Sequence, residues 1–211
     1  MQDCEARRRD GLRERKKRAT RRALHDATLR LVLERGLENV TVEEISATAG
    51  VSPRTFFNYF ANKDQAVLGD LVQVDPERTI ATIKSAATIL DGLRALCLAN
   101  AADTSPDREQ VLMRWELLER YPALLPQMFG RFVEFEKAIA AALAKRTGDQ
   151  EDDAYPQLMA SLAGTAMRVA VRRWTAGHGD HPLEYHVNEV FGLLRTELPV
   201  GSGQPTKGET N

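Results

Sequence analysis

The sequence has few of the features that mark secreted, membrane-spanning or metal-binding proteins. It contains only two cysteines in 211 residues, Cys4 and Cys97, which excludes a disulfide framework, and they lack the spacing of a metal site. No apolar run approaches the roughly 20 residues that a membrane span needs, and the first thirty residues lack the apolar core of a signal peptide. We therefore expect a cytoplasmic protein with two free thiols and no membrane association.

Period-two alternation of apolar and polar residues, which marks a half-buried strand, is also missing, and no internal repeat is visible. Apolar residues instead recur every three or four positions through almost the whole chain, which predicts an all-α fold. A stripe that Gly36 can cap predicts a first helix over about 14–35. Further helices are predicted at 63–73, 76–88, 90–102, 107–120, 123–147, 153–176 and 183–198, separated by proline, glycine and acidic breaks.

Charge is distributed unevenly along a chain whose formal net charge is −1. Residues 1–72 sum to +3 and residues 73–211 to −4, and the interval from Arg7 to Arg22 holds ten basic and two acidic residues. Such a run is either a solvated tail or a surface that attracts phosphate. The charge alone does not decide between them.

The stretch TVEEISATAGVSPRTFFNYFANKDQAV, residues 41–67, carries several helix boundaries in a short space. Thr41 and Glu44 fit a capping box, in which each side chain accepts a hydrogen bond from the other residue's backbone, so a helix is predicted to start at Val42. Gly50 stands where a left-handed residue can end it. The first short helix is thus followed by a tight turn.

A second short helix is predicted over Pro53–Tyr59, because Ser52 is a good N-cap and proline is favoured at the next position. Asn62, with Gln65 three places on, predicts a third helix that begins at Lys63. The residues suited to pack the first two helices together are Ile45, Ala49, Val51 and Phe56. This pattern is typical of a helix-turn-helix, whose second helix enters a DNA major groove.

This stretch, with ATRRALHDATLRLVLERGLENV before it, resembles the DNA-binding domain of the TetR family of bacterial repressors over residues 13–68. The resemblance implies an N-terminal three-helix DNA-binding domain, a divergent all-α ligand-binding and dimerisation domain, and two-fold symmetric operators. We accordingly divide the chain into a basic flexible arm over 1–12, a helix-turn-helix domain over 13–68, a ligand-binding and dimerisation domain over 69–198 and a disordered tail over 199–211.

One residue departs from the family pattern. The family commonly has a tyrosine, often bonded to a phosphate, where this chain has Phe57, and a phenylalanine cannot make that bond. The phrase RTFFNYFANKD is also similar to a subgroup that includes regulators with acyl-CoA-like ligands.

Candidate DNA contacts lie on the basic segment and on the helix-turn-helix. Arg54, at the start of the recognition helix, is suited to bind guanine, or else a phosphate or solvent. Asn58 is suited to read adenine or to solvate the helix, and Tyr59 to bind phosphate or to pack. The full candidate set is Lys17, Arg18, Thr20, Arg21, Thr41, Ser52, Pro53, Arg54, Thr55, Asn58, Tyr59 and Lys63.

Three residues of that set lie at helix N-termini, and their positions have different explanations. Lys63 lies at a helix N-terminus, where both its charge and the helix dipole favour a phosphate. Helix capping alone is sufficient to explain Thr41 and Ser52.

The segment VLMRWELLERYPALLPQMFGRF, residues 111–132, is rich in methionine, leucine and aromatic residues with interleaved arginines. A pocket between helices needs an apolar lining with a few polar groups, although ordinary core explains the same pattern. Arg114 fits either an anionic ligand or an ion pair. The candidate ligand-binding residues are Met113, Arg114, Trp115, Leu118, Tyr121, Met128 and Phe132.

The last two predicted helices carry apolar stripes that fit either a two-fold four-helix dimer interface or an intrachain core. Dimerisation is the favoured interpretation, because two recognition helices must reach two half-sites. The candidate dimerisation residues are Ala160, Gly164, Met167, Ala170, Val171, Trp174, Val187, Val190, Phe191 and Leu194. For His178, His181 and His186, a solvated loop is favoured over a metal site, and no metal or cofactor is expected.

These patterns predict a homodimeric transcriptional repressor with three partners: a double-stranded, two-fold symmetric operator, a second copy of the chain and a small hydrophobic or amphipathic effector. A DNA-binding regulator or activator without a ligand is the main alternative. An all-α enzyme with a DNA-binding appendage would need a nucleophile with a base, a pair of carboxylates or a metal site, and no such group of residues stands out. We therefore do not expect an enzyme.

Overall fold

The computed structural model describes residues 2–69, 75–103, 108–177 and 181–197, and the side chains from residue 15 onward except that of Asp103. The tail predicted over 199–211, the arm's side chains and His178 lie outside these described parts. Every regular element in the described ranges is helical, which confirms the predicted all-α class.

The helices follow one another along the chain with short connections. Two 3-10 turns, Leu37–Asn39 and Pro122–Leu124, precede α2 and α8. The α-helices of the described residues are α1 (Gln2–Arg35), α2 (Val42–Thr48), α3 (Pro53–Phe57), α4 (Lys63–Leu68), α5 (Pro76–Ser85), α6 (Ile89–Asp103), α7 (Arg108–Arg120), α8 (Leu125–Thr147), α9 (Ala154–Thr175) and α10 (Leu183–Glu197).

Two helix ends differ most from the sequence-based prediction. The first helix begins at Gln2, so the backbone of residues 2–12, predicted as a flexible arm, is helical. This segment consists largely of good helix formers and has no proline to stop it. The fourth helix ends at Leu68 rather than near residue 73, because Gly69 adopts a φ of 58° and thereby leaves the helical conformation.

The first compact unit contains α1 to α4 together with α7 and the start of α8. The long α1 contacts α2, α4 and α7. The sequence-based division placed α7 in the C-terminal domain, whereas here it packs beside the helix-turn-helix. The unit's core includes Leu24, Val32, Ile45, Phe56, Phe60, Val67 and Leu117.

The second compact unit contains α5, α6, most of α8, α9 and α10. Within it α10 packs against both α9 and α6, and α5 packs against α6. Its core includes Ile83, Leu93, Cys97, Ile139, Ala163 and Phe191. No helix in the described ranges is both long enough and apolar enough to cross a bilayer.

Six of the ten candidate dimerisation residues are buried within a single chain. At Gly164, the side chain of Glu136 on α8 approaches closely, since a Cβ there would lie 2.7 Å from Oε1 of Glu136. The apolar stripe therefore identified the buried face but not its occupant, and the intrachain alternative holds for Ala160, Gly164, Ala170, Val187, Val190 and Phe191. The half-buried Met167, Val171, Trp174 and Leu194 pack against the same core.

Candidate nucleic-acid interface

The first helix of the helix-turn-helix is fixed by its N-cap. Oγ1 of Thr41 accepts a hydrogen bond from the Glu44 backbone at 3.2 Å, and Oε2 of Glu44 accepts one from the Thr41 backbone at 2.9 Å. Hydrogen bonds from the backbone and then the hydroxyl of Thr41, aided by the Arg35 guanidinium, hold the pKa of Glu44 below its usual value. The predicted capping box is present, and α2 starts at Val42.

The turn that follows sets the direction of α3. Gly50 has a φ of 70°, which is unfavourable for other residues, and the Val51 backbone donates to the Ser46 carbonyl at 2.9 Å. Ser52 caps α3 by accepting from the Thr55 backbone at 3.2 Å, with Pro53 at the first helical position. Local sequence therefore determines where the recognition helix starts.

One face of α3 is buried and the opposite face is open to solvent. Phe56 is fully buried and anchors the helix, whereas Thr55 is half-buried and its hydroxyl bonds that of Ser52 at 2.9 Å. The side chain of Arg54 has no partner among the described residues. The exposed side chains of α3 and its C-cap are Pro53, Arg54, Phe57 and Asn58.

Arg21 fastens α1 to the end of this helix. Its Nη1 donates to the Tyr59 carbonyl at 2.6 Å, and its guanidinium lies 4.4 Å from the centre of the Phe60 ring. The DNA contact of Arg21 stays a prediction, and the structure shows that Arg21 positions the residues that directly follow α3. Tyr59 is half-buried beside it.

The ammonium group of Lys63 forms hydrogen bonds within the protein. Its Nζ donates to the carbonyls of Leu37 at 2.7 Å and Val40 at 2.6 Å. Two of its three donors therefore hold the loop between α1 and α2, where the sequence predicts a phosphate contact. The predicted cap of α4 is present, since Oδ1 of Asn62 accepts from the Gln65 backbone at 2.8 Å.

The basic candidates on α1 lie on the surface. Lys17 and Arg18 are exposed, and Thr20 is half-buried. They lie within about one helical turn before Arg21 on α1. The positive charge of α1 therefore lies close to Arg21, which contacts the residues that follow α3.

One candidate ligand residue, Arg114, attaches α7 to α1 through His25, which also contacts α4. Nη2 of the buried Arg114 lies 2.9 Å from Nε2 of His25, and Nδ1 of His25 lies 2.7 Å from the Ala66 carbonyl. Because a carbonyl only accepts, His25 carries its proton on Nδ1 and accepts from Arg114 on Nε2. The ring also lies 2.6 Å from where a Cβ of Gly69 would stand.

A second attachment is made by Tyr121, whose hydroxyl accepts from the Leu37 backbone at 3.0 Å. The polar groups of Arg114 and Tyr121 are thus used within the protein. Of the other candidates, Leu118 and Met128 are buried, Met113 and Phe132 are half-buried, and Trp115 is exposed. The binding of a ligand by these seven residues stays a prediction, and the contacts of Arg114 and Tyr121 show that part of α7 serves packing against the DNA-binding helices.

Sequence reasoning missed the buried contacts of His25 and the exposure of Phe57. His25 lies within the apolar stripe of α1, and a lone histidine there was the available signal for a buried polar contact. Phe57, considered only for the phosphate bond it lacks, is an exposed aromatic side chain on the recognition helix.

Of the three histidines near α10, the two within the described residues lie in different environments. His181 is exposed and stacks on Tyr185 with ring centres 4.0 Å apart. His186, predicted to be solvated, is buried because it shares the inner face of α10 with Val187 and Val190. Within the described ranges no group of three or more potential ligands is placed to hold a metal ion.

The capped helices α2 and α3 lie beside the basic α1, and the exposed face of α3 carries no acidic residue. This arrangement defines a helix-turn-helix DNA-binding protein. Comparison with known proteins agrees. Residues 24–68 match the family model described as bacterial regulatory proteins, tetR family, and residues 87–199 match that of the MftR C-terminal domain. The chain belongs to the TetR family of transcriptional regulators, which bind DNA and are not enzymes.

Two relatives extend over most of the chain. It is 34% identical to the transcriptional regulator TcmR of Streptomyces glaucescens over 78% of this chain and 76% of TcmR. It is 27% identical to MftR of Mycobacterium tuberculosis over 76% of this chain and 82% of MftR. The crystal structure of NalD, a repressor of a multidrug efflux pump in Pseudomonas aeruginosa, covers 87% of this chain and 98% of NalD with a TM-score of 0.56 at 17% identity, a likeness of fold alone.

Proposed function

We propose that this regulator is a homodimeric repressor that a small hydrophobic or amphipathic ligand releases from a two-fold symmetric operator. The observation that carries the proposal is the face of α3: Arg54 is exposed and unpaired within the described residues, on a helix fixed by Ser52 and Phe56. A guanidinium presented in this way is suited to bind guanine bidentately in the major groove. Such a regulator would act in the cytoplasm, where the bacterial chromosome lies.

The other DNA contacts follow from the same placement. Asn58 and Pro53 share the exposed face with Arg54, while Lys17 and Arg18 on α1 are placed to neutralise phosphates. Lys63 would support the interface by fixing the loop before α2. In a dimer, the two copies of α3 would enter successive major grooves about 34 to 36 Å apart, or a multiple of that distance.

Dimers are typical of the family, and the exposed surface of the second unit offers a place for one. Leu158 on α9 is 67% exposed and Leu193 on α10 is 61% exposed, whereas the stripe predicted from sequence is buried. We place the two-fold contact on this outer surface of α9 and α10. The half-buried candidates would lie at its edges: Met167, Val171, Trp174 and Leu194.

Release by a ligand would act through α7. Arg114 and Tyr121 bind this helix to His25 on α1 and to Leu37 beside α2. A ligand that binds better when α7 is displaced would therefore weaken the attachment of the DNA-reading helices and lower DNA affinity by its differential affinity for the two states. The chemical class of ligand is the sequence-based proposal, and acyl-CoA-like compounds belong in the first screen.

The test begins by selecting native genomic fragments with the purified protein and measuring their affinity. Arg54→Ala should weaken binding by about 1 to 3 kcal/mol if Arg54 contacts guanine. Arg30→Ala, which removes an exposed arginine from the later part of α1, is the matched control and should leave affinity unchanged.

Two outcomes would decide against parts of the proposal. Equal affinity of Arg54→Ala and the unsubstituted protein would remove Arg54 from the interface. Screening compounds for release of the selected fragments then tests the ligand, and activation of the adjacent gene without any release would favour the regulator that works without a small molecule.

A further inference from the structure

Phe57 is an unusual residue to find uncovered on a helix that reads DNA. Its ring is 58% exposed, and from residue 15 to residue 69 it is the only large apolar side chain left open to this degree. It shares the open face of α3 with Pro53 and Arg54, as positions three and four apart on a helix do.

The orientation of the ring is set by packing. Phe56 is fully buried, and its ring meets that of Phe57 edge to face, with centres 5.4 Å apart and planes at 85°. Phe56 in turn lies 5.8 Å from Phe60, over which the Arg21 guanidinium is placed. One side of the Phe57 ring is therefore fixed against the core while the other projects outward.

The chemistry of the ring limits what it can recognise in DNA. A phenylalanine has no donor for a phosphate, and covering a phosphate oxygen with an apolar ring would cost hydration. Among the base edges in the major groove, only thymine presents an apolar group, its C5-methyl. The α3 helix carries Arg54 and no acidic residue, so its charge suits DNA rather than a basic protein partner.

We propose that Phe57 is a specificity-determining residue that packs against the C5-methyl of one thymine in each operator half-site. This inference rests on the proposed entry of α3 into the major groove. Phe57 would select thymine over cytosine by apolar contact, next to the base or phosphate bound by Arg54.

Replacing thymine by uracil tests this directly, because it removes the methyl group and leaves base pairing intact. Operator duplexes selected by the unsubstituted protein are remade with deoxyuridine at one thymine position per half-site at a time. At one position, affinity should fall about fourfold per half-site, as expected for losing contact with one methyl-sized group. In Phe57→Ala, the ratio of thymine to uracil affinity at that position should fall to about one.

Two further variants separate Phe57 from its surroundings. Phe129→Ala removes an equally exposed phenylalanine from α8 and should keep the fourfold ratio. Phe57→Tyr adds a hydroxyl, which should weaken binding at the methyl contact. Circular dichroism confirms that each variant is folded.

Several results would overturn the inference. The inference fails if uracil lowers affinity equally in Phe57→Ala, or if uracil has no effect at any position. It also fails if the uracil effect is lost in Pro53→Ala and not in Phe57→Ala. Tighter binding of every duplex by Phe57→Tyr would likewise contradict it, because a contact with the DNA backbone would give that result. If one of these results is found while Arg54→Ala still weakens binding to the same duplexes, the proposed function stands and only the thymine contact is rejected. A protein that binds no duplex at all would reject both.

Discussion

At the scale of single residues, Cys97 illustrates how burial controls reactivity. It lies on α6 in the core of the second unit, with its Sγ 3.8 Å from the Ala163 carbonyl. Burial raises the pKa of the Cys97 thiol to about 12 from an ordinary value of 9.0. The unfolded chain therefore loses this proton at lower pH than the folded chain, and stability should fall as pH rises from 9 towards 12.

In a Cys4→Ser variant, which leaves Cys97 as the only thiol, we expect very slow alkylation by iodoacetamide at pH 8, because the thiolate is the reactive form and the folded protein disfavours it. Labelling measured by mass spectrometry should become rapid in urea concentrations that unfold the protein. Fast labelling of the folded variant without urea would contradict the burial of this thiol.

Basic residues beside the recognition helix serve different purposes despite similar sequence signals. Arg54 projects freely, whereas Arg21 and Lys63 donate to backbone carbonyls of Tyr59, Leu37 and Val40. Those contacts join residues between 23 and 38 positions apart, so no local pattern could distinguish a positioning cation from one that meets DNA.

At the scale of helices, α7 depends on a buried polar contact. In Arg114→Met the side chain keeps its bulk but loses its donors, which leaves Nε2 of His25 without that partner. We expect a destabilisation of about 1 to 3 kcal/mol, measured as a lower urea midpoint. Glu116→Ala, an exposed change on the same helix, is the control and should have little effect. An unchanged midpoint in Arg114→Met would show that the contact contributes nothing to stability.

The starts of α2, α3 and α4 were predictable because each is encoded within four residues. A side chain that caps its own helix, as Thr41, Ser52 and Asn62 do, needs no distant partner. The packing of α7 was not predictable, since Arg114 and His25 are 89 positions apart and the apolar pattern of a helix does not name the surface it meets. For the same reason, the apolar stripes of α9 and α10 fit both a dimer interface and an intrachain core when only the sequence is considered.

At the scale of the whole molecule, the proposed dimer should depend on the outer surface of α9 and α10. Leu193→Glu places a charge on an exposed apolar position of α10 that would be desolvated in the dimer. We expect sedimentation to show the mass of one chain and the operator affinity to fall. Leu112→Glu, at an exposed leucine on α7, should remain dimeric. A Leu193→Glu protein that is still a dimer would place the two-fold contact elsewhere.

Gly69 ties the end of α4 to the attachment of α7 through the ring of His25. A methyl group at residue 69 would occupy the space of that ring, which in turn meets Arg114. Changes at these positions are therefore linked during evolution. A lineage that acquires any side chain at residue 69 must also move or replace the imidazole at residue 25, which changes the contact of that ring with the arginine at 114.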